Sequence, residues 1–452
     1  MGCGGTLCKA AQGVDMTEES RAVPKSRVQR LSKFARLAGG VAGSMLVEGV
    51  RQVGAGNRPT AKDLLLTPVN ARRLTKQLSE MRGAAMKLGQ ILSMDTGDFL
   101  PKELADILAT LRSSAYVMPD GLLESMLRAA YGPDYTHKLL GFQRRPFAAA
   151  SIGQVHRLQT RDGRDAVVKI QYPGVRESIS SDVNNLATLL RLSGLLPRHI
   201  DIEPLLTKVK EQLHDEANYQ QEARYLNAFV RALGDDERFL LPRLIPAYTT
   251  DRILGMTYVP GIPIEHVLNE GQDERDRVMS LMFELLFVEM FELRLVQTDP
   301  NFANYQYDPQ TGQVVLLDFG ASRRFKAAFT NAYKALLRAI IVGDRSAITA
   351  AAERAGYQMG PAGSRYHEVL LDLAQAILGP VLADHAYDFG ASTIPKEAAV
   401  LGQEMREFRE FWEAPPVDAA YIHRKIAGLF MLAARLQARV NVRELLQPWI
   451  ED

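Results

Sequence analysis

Three short stretches hold polar residues of the types that handle phosphate. "AVVKI" carries Lys169, "QTDPNFANY" carries Asp299 and, five residues on, Asn304, and "LLDFG" carries Asp318. An ammonium neutralises phosphate charge. Asparagine and aspartate offer oxygens to a hard cation such as Mg2+, and a carboxylate accepts a proton from an attacking nucleophile or orients it. Each piece also has a plain structural reading: Lys169 could lie with its stem along the surface, and Asp-Phe-Gly could be no more than a strand followed by a turn. Their occurrence together, in this order, favours one site for a phosphorylated ligand and a divalent cation.

Such groups need strands with defined ends. "ASIGQVHRLQT" and "DAVVKIQYP" alternate and are rich in β-branched residues on either side of Arg161-Asp162-Gly163-Arg164, which predicts a β-hairpin with Lys169 on its second strand. "RILGMTYVPG" predicts another strand ending in a Pro-Gly turn, and "QVVLLDFG" a buried strand after the turn "DPQTG". Residues 31–140, 201–233, 273–295, 327–342 and most of 364–446 carry apolar residues at helical spacing. Pro101 and Pro119 divide the first of these. The pattern is a small strand-bearing lobe followed by a larger helical one, with no internal repeat.

Protein kinases use the same order: a strand lysine on the α/β-phosphates, a catalytic-loop Asp with an Asn five residues on, and the Asp of D-F-G on Mg2+. They also hold the lysine with a helical glutamate, for which "EQLHDEANYQQEARYL" offers Glu216 and Glu222. On one continuous helix these lie about 240° apart, so only one can face Lys169. The departures matter as much. Where kinases have G-x-G-x-x-G, this chain has "FAAASIGQVH"; Gln297-Thr298-Asp299 replaces His-Arg-Asp; and "ASRRFKAAFTNAYKALL" follows D-F-G without an A-P-E motif. The segment that seats a peptide substrate is missing from the sequence pattern.

Composition narrows the class. The chain is 452 residues long, 46% hydrophobic and 24% charged, which suits one large or two ordinary folded domains. Lys+Arg 54 against Asp+Glu 53 leaves a formal charge of +1, so no global field recruits nucleic acid. The two cysteines, Cys3 and Cys8, cannot staple a core, and they indicate a reducing compartment. Met1-Gly2-Cys3-Gly4-Gly5-Thr6 matches the M-G-x-x-x-[ST] acylation pattern, a short Gly-rich match that chance readily produces. No stretch reaches the ~18 to 20 apolar residues of a spanning helix. "LAGGVAGSMLV", Leu37 to Val47, has Gly39 and Gly43 in G-x-x-x-G spacing behind Lys33 and Arg36, a pattern shared by close-packed helix pairs and interfacial membrane helices.

These motifs together resemble the UbiB/ADCK/AarF atypical-kinase family linked to coenzyme Q biosynthesis. Lys87-Leu88-Gly89-Gln90 matches its K-x-G-Q motif, "AAASIGQVH" its alanine-rich loop, and "VVKIQYPGV", "QTDPNFANY" and "LLDFGA" its core. The likeness runs from about residue 31 to the closing helix "IHRKIAGLFMLAARL". In the E-x-D motif, Asn218 stands where the family has aspartate.

The resemblance implies an α+β, protein-kinase-like two-lobed fold with an N-terminal helical extension, predominantly helical overall. Its parts would be a flexible tail over 1–30, the K-x-G-Q extension over 31–140, an N-lobe with inserted helices over 141–260, and a helical C-lobe over 261–452. It assigns Lys169, Asp299 and Glu222 to catalysis and Asn304 and Asp318 to the metal. Ala148, Ala149, Ala150 and Ser151 would cover the phosphates, and Met256, Thr257, Tyr258 and Val259 would read adenine through their backbone. Lys87 and Gln90 would fold over the site and engage Glu216 while Glu222 holds Lys169, or the two glutamates would exchange partners.

The cofactors implied are ATP/ADP and Mg2+. The function implied is an atypical kinase-like ATPase supporting ubiquinone biosynthesis and acting on a small molecule or lipid. A nucleotide-switched lipid-binding scaffold is the alternative, followed by a conventional protein kinase. Membrane lipids and quinone-pathway intermediates or enzymes are the partners expected, a homodimer is allowed, and nucleic acid is excluded. The place expected is cytoplasmic or organelle-matrix, with peripheral membrane association.

Overall fold

The computed structural model describes residues 117–150, 152–192, 203–405, 408 and 415–451. Lys87, Gln90, Ser151, the 37–47 segment and Gly2-Cys3 therefore lie outside the described residues. In chain order the elements are α1 (Asp120–Tyr131), α2 (Tyr135–Lys138), β1 (Ala148–Ala149), β2 (Gly153–Gln159), β3 (Asp165–Gln171), α3 (Val175–Leu192), α4 (Glu203–Glu216), α5 (Tyr219–Leu233), β4 (Phe239–Leu240), β5 (Ile253–Thr257) and β6 (Ile262–Pro263). They continue with α6 (Gln272–Phe287), a π-helical turn (Val288–Leu293), β7 (Leu295–Gln297), a 3-10 turn (Phe302–Asn304), β8 (Tyr305–Asp308), β9 (Gln313–Leu316), β10 (Ser322–Arg324), α7 (Ala327–Val342), α8 (Arg345–Arg354), α9 (Arg365–Ile377), α10 (Gly379–Leu382), β11 (Tyr387–Asp388), α11 (Ile394–Met405), α12 (Val417–Leu436), β12 (Arg439–Val440) and α13 (Val442–Ile450). The α+β class expected from the sequence is the one adopted.

Two compact units divide the chain: residues up to Arg224 with Arg243–Tyr258, and Tyr225–Pro242 with Val259–Asp452. In the first, an antiparallel sheet runs β1-β2-β3-β5. The expected hairpin is β2–β3, with Gln159 opposite Asp165. Its turn is closed by Thr160 and Arg164, and Gly163 there takes φ +83°, which glycine adopts without a Cβ penalty.

Side chains alternate across a strand, so β2 and β3 each have two faces. Leu158, Ala166, Val168 and Ile170 turn toward α1, whose Leu123, Leu127 and Tyr131 recur at every fourth residue and complete a core cluster. Burying one such apolar side chain stabilises by roughly 1.5–3 kcal/mol.

His156 shares that face, opposite Val168. It is fully buried, with Nδ1 2.8 Å from the Gln143 carbonyl and Nε2 2.7 Å from Gln154 Nε2. The fitting tautomer donates from Nδ1 and accepts at Nε2. Gln154 cannot simply flip its amide, because its Oε1 already accepts the Met118 amide at 3.0 Å. Burial lowers the imidazole pKa, against the raising effect of the Gln143 hydrogen bond. Below the ordinary value of about 6.5 the unfolded chain takes up a proton that the folded ring refuses, so stability falls with pH from there until the folded ring titrates. His156→Gln is expected to be less stable than wild type at pH 7, with the gap in melting temperature narrowing toward pH 5. A gap independent of pH would contradict the neutral, accepting ring.

The second unit holds a mixed sheet, β4-β9-β8-β6, in which β4 and β9 are parallel, and the pair β7–β10. From Val278 on, helix α6 is apolar on nearly every side and buries Val278, Met279, Leu281, Met282, Phe283, Leu285, Leu286 and Phe287. The helical period expected over 273–295 changes at Val288, where the π turn begins, and Arg294 then takes φ +49° and ends it. Strands β11 and β12 interrupt the helical run expected over 364–446.

Candidate functional site

Because Ala166, Val168 and Ile170 face α1, Lys169 faces the other side of β3, between Val155 on β2 and Leu254 on β5. There Nζ donates to both carboxylate oxygens of Glu222, at 2.9 and 3.1 Å, and lies 5.3 Å from the centre of the Tyr219 ring. The lysine side chain is 10% exposed and that of Glu222 2%. A charge-assisted pair this dry fixes the ammonium's position. Glu222 sits in the first turn of α5, where a helix N-terminus favours a carboxylate. Two residues along β3, Gln171 Nε2 donates to the Ala217 carbonyl at 3.0 Å, docking the start of α5 on the same strand.

The expectation of one continuous helix over 201–233 is corrected here. Helix α4 ends at Glu216 and α5 starts at Tyr219. The Asn218 side chain accepts the Gln221 amide at 3.1 Å, as an N-cap does. The separation of about 240° argued for a single helix therefore does not apply: Glu216 closes one helix and Glu222 opens the next. The contact also gives Asn218 a reason to stand in for aspartate, since both residues cap well.

In the second unit, β7 leads into the loop with Asp299 and is held against β10. The Thr298 amide and hydroxyl both donate to the Ala321 carbonyl, at 3.2 and 2.7 Å. Asn304 Nδ2 donates to the Asp299 carbonyl at 3.3 Å, and the Leu317 amide donates to the Asn304 carbonyl at 3.1 Å. These bonds tie the loop of Asp299 and Asn304 to the segment that enters Asp318, whose Oδ1 accepts the Gly320 amide at 2.9 Å. Phe319 packs on Phe229 with ring centres 4.8 Å apart.

With Nδ2 engaged, Asn304 has Oδ1 to offer, and Asp318 brings a carboxylate. That donor set fits Mg2+, which takes one or two protein oxygens and fills its shell with phosphate and water. Among the described residues no group of three or more His, Cys, Asp or Glu is placed to hold a metal ion, so an all-protein cage for a transition metal has no candidate there.

Beneath the loop runs a buried polar network that the sequence reading missed. Lys425 on α12 lies 3.0 Å from Glu289 of the π turn and donates to Tyr305 Oη at 2.8 Å. Tyr305 Oη donates to Gln297 Oε1 at 3.2 Å, and Gln297 Nε2 donates to the Asp318 carbonyl at 3.4 Å. The Gln297 amide also bonds to the Glu289 carboxylate. Lys425 and Glu289 are each 1% exposed. Burial works against the Lys425 charge, but the facing Glu289 carboxylate and Tyr305 oxygen outweigh it and raise the ammonium pKa. Gln297, which stands where kinases have histidine, thus links the loop before Asp299 to the backbone of Asp318.

Residues 110–352 match the model of the ABC1 atypical kinase-like domain. The chain belongs to that family. It is 37% identical over 435 residues, 95% of this chain and 86% of the relative, to the mitochondrial atypical kinase COQ8 of Saccharomyces cerevisiae. To the mitochondrial atypical kinase COQ8B of Rattus norvegicus it is 36% identical, over 94% of this chain and 81% of the relative. Among solved structures, the complex of Rv3197 with erythromycin from Mycobacterium tuberculosis superposes with a TM-score of 0.57 at 24% identity, covering 84% of this chain and 95% of that one. That last likeness concerns the fold alone.

Within this ABC1 chain the remaining expected residues fall as follows. Ala148 and Ala149 form β1, paired with Val155 and Gln154, and the Ala150 amide donates to the Gly153 carbonyl at 2.9 Å, so the alanine-rich loop is the tight end of a hairpin. The expected hinge is narrower than its sequence suggests. Met256 sits opposite Val167 in the ladder, and the Thr257 and Tyr258 amides donate to the Arg243 and Asp165 carbonyls, at 2.9 and 3.0 Å. Those two amides are not available to a base. The Tyr258 ring instead stacks under the Arg157 guanidinium at 3.9 Å, with Phe147 on the same guanidinium at 4.2 Å.

Proposed function

We propose that this ABC1 family member binds Mg·ATP and hydrolyses it, in support of ubiquinone biosynthesis at a membrane surface. The observation that carries the reading is the buried, two-oxygen Lys169–Glu222 ion pair, in a chain that also keeps Asp299, Asn304 and Asp318 on one hydrogen-bonded loop-and-strand unit. In this reading Lys169 takes the nucleotide's phosphates, and Glu222 keeps its ammonium from folding away. Asn304 and Asp318 hold Mg2+, which neutralises phosphate charge when bound. Asp299 orients a water, or a hydroxyl of a small molecule or lipid, for attack. The ubiquinone role and a mitochondrial-matrix or equivalent setting rest on the kinship with the mitochondrial COQ8 relatives. Among the described residues no helix is long and apolar enough to cross a membrane, so contact with a bilayer is proposed as peripheral, with the 37–47 segment as the candidate.

The test is phosphate release from Mg·ATP by the purified chain, with and without anionic vesicles, beside transfer to a generic protein acceptor. Slow release that vesicles increase, with almost no transfer to protein, is expected. Efficient phosphorylation of the protein acceptor would instead support a conventional kinase. Nucleotide binding without any release would support the nucleotide-switched scaffold.

A further inference from the structure

Helix α12 runs along the loop that carries Asp299 and meets it through three residues spaced within one turn or so of each other, Arg424, Lys425 and Gly428. A Cβ at Gly428 would come within 2.3 Å of Pro300 Cβ, so the helix backbone abuts the residue next to Asp299. Lys425 holds Tyr305 at the far end of the same loop. Between these anchors, Arg424 Nη2 lies 3.8 Å from Asp299 Oδ1. Arg424 is 3% exposed, and among the described residues none of its three guanidinium nitrogens finds a hydrogen-bond partner.

A guanidinium withdrawn from water is costly unless another charge answers it. Among the described residues the carboxylate within ion-pair range is that of Asp299, itself 14% exposed. At this separation the attraction is strong in a dry setting, yet the distance is beyond a hydrogen bond. The cation can therefore set the direction of the carboxylate without occupying an oxygen lone pair that the nucleophile's proton would need. We propose that Arg424 is the positioning residue of Asp299, a buried cation on α12 that aims the carboxylate at the nucleophile. The proposal deepens the functional reading above and rests on the role given there to Asp299.

A double-mutant cycle on the full chain tests it in two ways. In urea unfolding, Asp299→Asn strands the Arg424 charge and is expected to lower the midpoint; adding Arg424→Met should restore part of the loss. Strictly additive effects would overturn the proposal. In turnover, Arg424→Met is expected to lower kcat for phosphate release about ten- to a hundredfold, at or below the loss of a positioned base itself. KM and the Mg·ATP affinity should stay within about twofold, and Arg424→Lys, which keeps the charge, should recover part of kcat. Binding and turnover falling together, in proportion to the folded protein lost, would make Arg424 a packing residue and overturn the proposal. Should the wild type release no phosphate, the functional reading fails by itself, and the unfolding cycle still decides whether Arg424 is coupled to Asp299.

Discussion

Asp318→Asn is expected to weaken Mg2+-dependent nucleotide binding at least about a hundredfold, which corresponds to about 2.7 kcal/mol, while leaving the fold intact. The fold should survive because the hydrogen bond that Oδ1 accepts from the Gly320 amide is open to an asparagine oxygen as well. Binding should not survive. Mg2+ takes hard, preferably charged oxygens, and a metal bridging protein and phosphate contributes several kcal/mol. With Asn304 neutral, Asp318 is the charged member of the proposed pair. Calorimetric titration of wild type and variant with Mg·ATP, alongside melting curves, checks both halves. Equal affinities would remove Asp318 from the metal.

Lys425→Met is expected to cost about 3–5 kcal/mol of stability, the range seen when one partner of a buried ion pair is removed. That is a large fraction of the 5–15 kcal/mol that holds a typical domain folded. The cost arises because Glu289, 1% exposed, would keep its charge demand and lose its cation. Lys425→Met with Glu289→Gln should recover much of the loss: glutamine is neutral and still offers an oxygen to the Gln297 amide. Urea unfolding of the two single variants and the double gives the coupling directly. A double variant as unstable as the sum of the singles would mean that the pair is not a unit. Because the network continues through Tyr305 and Gln297 to the Asp318 carbonyl, the single variant should also lose turnover at temperatures where it remains folded.

The sequence made the strands of the site legible and left its supports dark, for identifiable reasons. Lys169 was readable because β3 alternates: apolar Ala166, Val168 and Ile170 claim one face and leave the lysine the other. Asp299, Asn304 and Asp318 were readable from type, order and spacing. The choice of Glu222 over Glu216 was not, because apolar spacing runs straight through the break between α4 and α5; the signal was present in Asn218, a good N-cap placed just before Tyr219. The π turn at Val288–Leu293 has no comparable mark, and only its left-handed exit at Arg294 shows that the helix has been redirected.

Arg424 and Lys425 were hidden differently. Ile422, Leu429, Leu432 and Leu436 form the buried stripe of α12, and Lys425 falls on it three residues after Ile422 and four before Leu429. A charge on a core-facing stripe asks for a buried partner. Glu289 lies 136 residues away in the chain, beyond the reach of any local pattern.

The central proposal is that this ABC1 family member binds Mg·ATP, with Lys169 in the phosphate-binding role and Asn304 and Asp318 in the metal-binding one. Its most direct test is the titration of the wild-type chain with ATP in the presence of Mg2+ and again in excess chelator, by calorimetry or with a fluorescent nucleotide. Saturable binding to one site, lost or weakened at least about tenfold without Mg2+, is the result expected. No saturable binding with Mg2+, or equal affinity with and without it, would contradict the account.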